Sequence, residues 1–441
     1  MKKQNKKIIS VFAVITIICS LFSNVFAATD AVTLQIGDSK VNYDTVAEAV
    51  ADVPKDNTNA IITFNDNFKG PGVKVNANQN ITFDLNNFTW DITDTVGSAG
   101  TETNGLQLLK GSTVKIQNGA ITSQTAKMLI QNYCDLTIDN VKLSGTDNLT
   151  QYIISNNNGS TTITGGSEIT AASGGIAFDS DKWGGYDGGN VILESGTING
   201  NINATNGGKM TLNGGTINGE VLASNYTSSG YDSQSPVITI NGTDIKGNVS
   251  STEEGKITIQ KGTIDGTVNS SGTNKIEITG GVFLKELGDN VNVNSKYSAK
   301  IGNKTVIGKE DFNKAIKNLK SGDSIELLTV PENTKLSIPE NVTVTNNSGN
   351  KVVINNENLN AGGSITTIPP TTDNDKNDKD ENNSSSSSTD STSKNNTANE
   401  NIETFSPQTS DNSNITLFTI IFIISIVGII TIITLKKKQQ N

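Results

Sequence analysis

Histidine is absent from the 441-residue chain, and so is arginine, because every one of its 34 basic residues is lysine. The first absence removes imidazole acid–base catalysis and imidazole metal ligation, and the second removes every mechanism built on a guanidinium. Cysteine is reduced to Cys19 and Cys134, too few for a disulfide framework or a thiolate zinc site. Only 5% of the residues are aromatic and 34% hydrophobic, against 42 glycines, so a large conventional α/β core is not expected. A net charge of -10 and a pI near 4.8 argue against a nucleic acid partner, whose backbone would be repelled. The length exceeds the roughly 100–200 residues of one domain, which predicts several regions.

The two ends of the chain carry targeting patterns. Lys2, Lys3, Lys6 and Lys7 precede an apolar run, and Val25-Phe26-Ala27 supplies a small-x-small site, so residues 1–27 read as a secretory signal peptide cleaved after Ala27. Cys19 follows Ile18, which lacks the small residue a lipoprotein signal would place there. At the other end, Pro407-Gln408-Thr409-Ser410-Asp411 precedes an uncharged stretch from Ile415 to Leu435 and then Lys436-Lys437-Lys438. About 20 apolar residues suffice for a transmembrane helix, and the lysines would stay on the cytoplasmic side. Residues 366–405, rich in Ser, Asn and Asp, cannot bury enough apolar surface to offset their ordering entropy and read as a disordered stalk.

This tripartite C-terminus resembles the Gram-positive cell-wall sorting signal. The resemblance implies a sortase that cleaves after Thr409 and passes the chain to peptidoglycan through a thioester. Pro407, Thr409 and Ser410 fall on motif positions, with Ser406 where the family has Leu and Ser410 where it has Gly. Either as a single-pass membrane protein or as a wall-linked one, the body of the protein is expected at the cell surface.

Between these ends one phrase recurs. Val191-Ile-Leu-Glu-Ser-Gly-Thr-Ile198, Met210-Thr-Leu-Asn-Gly-Gly-Thr-Ile217, Ile238-Thr-Ile-Asn-Gly-Thr-Asp-Ile245, Ile257-Thr-Ile-Gln-Lys-Gly-Thr-Ile264 and Ile276-Glu-Ile-Thr-Gly-Gly-Val-Phe283 share an alternating apolar pattern. The marker glycines Gly196, Gly215, Gly242, Gly262 and Gly281 recur at a base period of about 20, a solenoid signature. Alternation over short segments predicts strands with Ile, Leu and Val inside and Thr, Asn and Lys outside. Weaker copies, among them Phe83 to Trp90, Val114 to Ile121 and Leu136 to Leu143, extend the pattern upstream to about Thr82. These residues resemble the pectin-lyase-like right-handed parallel β-helix family of secreted and surface proteins. The resemblance implies an all-β fold and carries no activity with it.

A second repeat brackets the first. Ile36-Gly-Asp-Ser-Lys-Val41 is echoed by Ile301-Gly-Asn-Lys-Thr-Val306. Each is followed by a helical stretch, in which Val46, Ala49, Val50 and Val53 match Phe312, Ala315, Ile316 and Leu319. These read as capping units covering the open ends of the solenoid, or, in the second case, as the start of a short β-helical piece of its own over Leu336 to Ile354. The expected divisions are a signal peptide 1–27, an N-terminal cap 28–81, a parallel β-helix 82–290, a C-terminal cap-like module 291–365, a stalk 366–405 and a sorting signal 406–441.

Acidic residues and aromatics concentrate in one stretch, Phe178-Asp179-Ser-Asp181-Lys-Trp183-Gly-Gly-Tyr186-Asp187, an insertion relative to the base period. A second insertion, Ala223 to Ser235, carries Tyr226 and Tyr231. Both fall where the third strand of one turn passes to the first of the next, so they should flank a groove roughly 10 Å wide. Trp183, Tyr186, Tyr226 and Tyr231 are the candidates for stacking on a sugar. Asp179, Asp181 and Asp187 are the candidates for hydrogen bonding, or weakly for a calcium ion, since the EF-hand glycine and terminal Glu are missing. The bland alternative is that glycine-rich loops tolerate insertions and their aromatics merely pack over a corner. Cys134 is expected to be an interior residue, without a base to make it a nucleophile.

No catalytic or cofactor-binding set is visible. The expectation is an adhesin-like surface protein that binds or displays, with an extracellular glycan or host matrix as ligand. The alternatives are a carbohydrate-active enzyme of the glycoside hydrolase type using only Asp and Glu, and a passive surface component. Arg-dependent lyase chemistry is excluded by composition, whereas a two-carboxylate glycosidase is not.

Overall fold

The computed structural model describes residues 30–145, 150–172, 175–182, 189–225 and 234–368, all within the compact unit Met1–Thr371. The expected signal peptide, sorting motif and apolar run 415–435 lie outside the described residues, as does the expected stalk from residue 369 on, whereas its first residue, Thr366, ends the strand Ser364–Thr366. Among the described residues no helix is long and apolar enough to cross a membrane.

The architecture is all-β with two short helices, and its dominant feature is stacked parallel strands, an arrangement compatible with a β-helix. Each layer contributes strands to two walls of a 26-stranded sheet and then one to a separate 10-stranded sheet. In the layer Asn190–Leu193, Thr197–Asn199 and Asn201–Thr205, each strand pairs in parallel with its counterpart in the next layer, Lys209–Leu212, Thr216–Ile217 and Val221–Ser224. Parallel stacking begins with Asn59–Phe64 against Asn80–Asp84 and ends with Ile276–Ile278 against Val291–Val293, so it reaches further at both ends than the repeated phrase.

The alternation explains the stacking. Ile62, Phe83, Ile116, Ile138, Ile163, Leu193, Leu212, Ile240, Ile259 and Ile278 form one column in register, and every one of them is buried. Each such side chain contributes about 1.5–3 kcal/mol on burial. A second column on the adjacent wall runs from Trp90 through Ile121, Leu143, Ile169 and Ile198 to Phe283. The marker glycines lie at the corner between these two walls. Gly196 has φ +119, and a Cβ on it would sit 2.3 Å from the carbonyl oxygen of Ser167 in the layer below, so neither the conformation nor the space admits a side chain.

The bracketing repeat folds as a hairpin, a helix and a strand at both ends. In the N-terminal unit Val32–Ile36 pairs antiparallel with Ser39–Tyr43 and with Asn59–Phe64. Between them the helix Val46–Asp52 is N-capped by Thr45, whose hydroxyl accepts from Glu48 N at 3.2 Å and donates to the Glu48 carboxylate at 2.9 Å. In the C-terminal unit Ser298–Ile301 pairs antiparallel with Lys304–Ile307 and with Ser324–Thr329, around the helix Lys309–Lys317. That unit then starts a stack of its own, because Ser324–Thr329 pairs in parallel with Thr343–Asn346 and Lys335–Leu336 with Val352–Ile354. It has a separate core around Phe312, Ile325, Leu327, Val344 and Val352, whereas the N-terminal helix shares the core of the main stack.

Candidate functional site

The outward face of the 10-stranded sheet holds the most unusual environment among the described residues. Its strands turn two consecutive side chains inward, Leu129 with Ile130, Ile153 with Ile154 and Ala177 with Phe178, all in the main core. Alternation then resumes. The next outward position stacks Gln107, Gln131, Ser155, Asp179 and Asn203 in register. Two residues further along, Asn157 pairs with Asp181, and Tyr133 directly follows the aligned Asn132.

Between these rows an inward ladder of amides fixes the register. Asn132 Nδ2 donates to Asn156 Oδ1 at 2.9 Å and to Thr161 Oγ1 at 3.0 Å, while Asn156 Nδ2 donates to Gly159 O at 2.9 Å. Both asparagines are fully buried, so satisfying these groups makes the layer spacing specific.

Outward-facing residues on a sheet are ordinarily solvated, yet here Asn104, Gln107, Ser155, Asp181 and Thr205 are all buried. Gln131 Oε1 receives Asn104 Nδ2 at 2.8 Å and Gln107 Nε2 at 3.1 Å. The carbonyl oxygens of Asn104 and Gln107 are buried without a hydrogen-bond donor. Ser155 donates to Asn157 Oδ1 at 2.7 Å, and Thr205 donates weakly to Asp179 Oδ1 at 3.4 Å.

Asp179 and Asp181 stand on one strand and one face, with Cα atoms about 7 Å apart along it. Burial, reinforced by the charge of Asp181, pushes the Asp179 carboxyl up to about 7 against the weak opposing bond from Thr205. Burial also raises Tyr152, as do the charges of Asp179 and Asp181. Tyr133 is raised by burial and by Asp181, partly offset by a hydrogen bond with Asn157. Two phenols and two carboxyls thus share one poorly solvated surface. Asp179 therefore keeps its proton to a higher pH than an ordinary surface aspartate.

Of the residues singled out in the sequence, Asp179 and Asp181 fall on this face, whereas Trp183, Tyr186, Asp187, Tyr226 and Tyr231 lie outside the described residues. The bases of the two insertions do meet. Lys182 Nζ donates to Gln234 Oε1 at 3.0 Å, above Gly207, whose Cβ would lie 2.9 Å from that of Gln234. The layer between the insertions is therefore bridged at this corner. Tyr133, Tyr152, Ser155, Asn157 and Thr205 were not legible from the glycine period. Their signal is a spacing of 24 residues, as between Asn132 and Asn156, which also aligns Asn156 with Ser180.

No group of three or more acidic or thiol ligands able to hold a metal occurs among the described residues, and Asp187, the third acidic candidate, lies outside them. Cys134 is buried, and its thiol is pushed up to about 12, mainly by that burial, so it is an interior residue and no nucleophile. No family model, no curated protein and no solved structure matches this chain.

Proposed function

We propose that the chain is a secreted right-handed parallel β-helix of about 20 residues per coil. In this reading it is held at a Gram-positive cell surface by a stalk and a variant sorting signal, and it binds an extracellular carbohydrate chain along the outward face of the 10-stranded sheet. Export, reach and attachment rest on the sequence patterns at the two ends. The binding role rests on one observation: an outward sheet face on which the half-buried side chains of Gln131, Tyr133, Tyr152, Asn157 and Asp179 stand together in adjacent layers. Such polar groups can exchange hydrogen bonds with sugar hydroxyls, and Tyr133 and Tyr152 offer ring surface beside them.

The carboxyl pair favours a second reading, acid–base hydrolysis of a glycosidic bond. A carboxyl poised at about 7 suits a general acid, and a second carboxyl, Asp181, on the same face of the strand supplies the partner that a two-carboxylate glycosidase requires. A glycan array probed with residues 28–368, with product analysis of every retained glycan, separates the two. Retention without cleavage that weakens at least tenfold in Tyr152→Ala supports binding. Cleavage lost in Asp179→Asn and Asp181→Asn with retention kept establishes the hydrolase. Retention indifferent to all three substitutions removes the site from both readings.

A further inference from the structure

The duplicated hairpin–helix–strand unit is used differently in its two copies. Gly37 and Gly302 turn the two hairpins with the same φ of +57, and the registers coincide, with Leu34 opposite Val41 and Ala299 opposite Val306. The second hairpin is docked on both sides. Its inner strand starts the short C-terminal stack, and its outer strand, Lys304–Ile307, pairs antiparallel with Gly281–Phe283 at the end of the main stack. Val306 is only 3% exposed there. In the first copy the inner strand starts the main stack, but among the described residues the outer strand Ser39–Tyr43 pairs only with Val32–Ile36, and Val41, the counterpart of Val306, is 48% exposed. A free edge and a bare apolar residue thus occupy the place that its twin fills with the end of a β-stack.

The opposite extreme of the same sheet is also open. Among the described residues Ser364–Thr366 pairs only with Thr343–Asn346, Ile365 is half-buried beside Val344, and Ile368 is 73% exposed. Charge chooses between the two ways a second copy could fill the N-terminal edge. Pairing Ser39–Tyr43 with itself about Val41 sets Asp38 opposite Asp44 twice over, a like-charge arrangement. Pairing it with Ser364–Thr366 opposes no charges, because no charged residue occurs between 358 and 368.

We propose that the Ser39–Tyr43 edge of one molecule receives the Ser364–Thr366 edge of a second copy, with Val41 against Ile365, repeating between chains the junction that Lys304–Ile307 makes within one. Such a contact is heterologous and builds linear head-to-tail assemblies instead of closed dimers.

The test is sedimentation of the full-length chain in mild detergent over a wide concentration range. The average mass should rise beyond that of a dimer, and Val41→Lys or Ile365→Lys should each weaken association at least tenfold. An equimolar mixture of the two variants, which leaves one intact edge on each chain, should stop at a dimer. Unchanged thermal unfolding in each variant, and a milder loss in Val41→Thr, separate edge effects from misfolding. A monomer at every concentration overturns the proposal, as does association that neither lysine affects or that Val41→Lys abolishes while Ile365→Lys does not.

Discussion

The early and late layers of the main stack solve the same corner with different residues. In the layers before Gly165 the left-handed corner positions are asparagines, with φ +58 at Asn118 and +56 at Asn140. From Gly196 to Gly281 they are glycines pressed against the carbonyl of the layer below. An asparagine corner keeps a side chain, and Asn118 Nδ2 uses it to reach Asp84 Oδ1 at 3.2 Å. The strands there run on unbroken through the corner, as Thr113–Ser123 and Asp135–Ser144, while the late layers break into pieces of two to six residues. The amides Asn104, Gln107, Asn132 and Asn156 are buried in the early layers, and Asn206 and Asn225 in the late ones. The corners therefore differ more than the interiors: glycine corners press one backbone onto the next, and asparagine corners keep a side chain that bonds across layers.

Four measurements test this division. The largest effect is expected for Gly196→Ala, which forces a Cβ against Ser167 O at positive φ and should cost on the order of 2–4 kcal/mol, seen as a lowered unfolding midpoint. Asn132→Ala should follow closely at about 2–3 kcal/mol, because it strands the buried Cys134 N without its acceptor and removes the Asn132 donor from Asn156 Oδ1 and Thr161 Oγ1.

Next comes the pH dependence of Asp179. Its folded carboxyl, pushed up to about 7 from an ordinary 3.8, holds a proton more tightly than the unfolded chain does. Stability from this group is therefore fullest below about pH 4, declines as pH rises toward about 7 and levels off above. Thermal unfolding of the wild type should fall by roughly a few °C over that interval, and in Asp179→Asn the decline should vanish. The smallest effect belongs to Asn118→Gly, expected within about 1 kcal/mol of wild type because glycine accepts the same φ and only two long outer hydrogen bonds, to Asp84 and from Asn140, are lost. A large loss there, or tolerance of alanine at Gly196, would erase the distinction between the two kinds of corner.

Much of the stacking was legible in the sequence for the same reason that the late corners are rigid. A left-handed turn beneath a neighbouring backbone admits only glycine, so Gly196, Gly215, Gly242, Gly262 and Gly281 recur visibly and fix the period. The early layers answer the same φ with Asn118 and Asn140, and their copies of the phrase look weak although their strands pair as regularly. Both helices and the hairpin duplication were also readable, since Val46, Ala49 and Val50, like Phe312 and Ile316, bury one helical face. The candidate face was read only in part. Asp179 and Asp181 stood out as an acidic pair, but Tyr133, Ser155 and Asn157 reach them through a layer length of 24 that the glycine period concealed. The consecutive inward pairs Leu129-Ile130 and Ile153-Ile154 hid the phase further, because simple alternation turns one residue of each pair outward.

The parallel stack has a mechanical consequence. Each layer is held to the next by rows of backbone hydrogen bonds, and consecutive layers are joined by the chain itself, so tension applied between the two ends loads the outermost layer first. Such a body lengthens by shedding one layer at a time, each releasing about 65–110 Å of chain at about 3.4 Å per residue, and the remaining layers stay folded while it does so. Under a tug it would pay out length in steps and rewind when the pull relaxes, acting as a shock absorber.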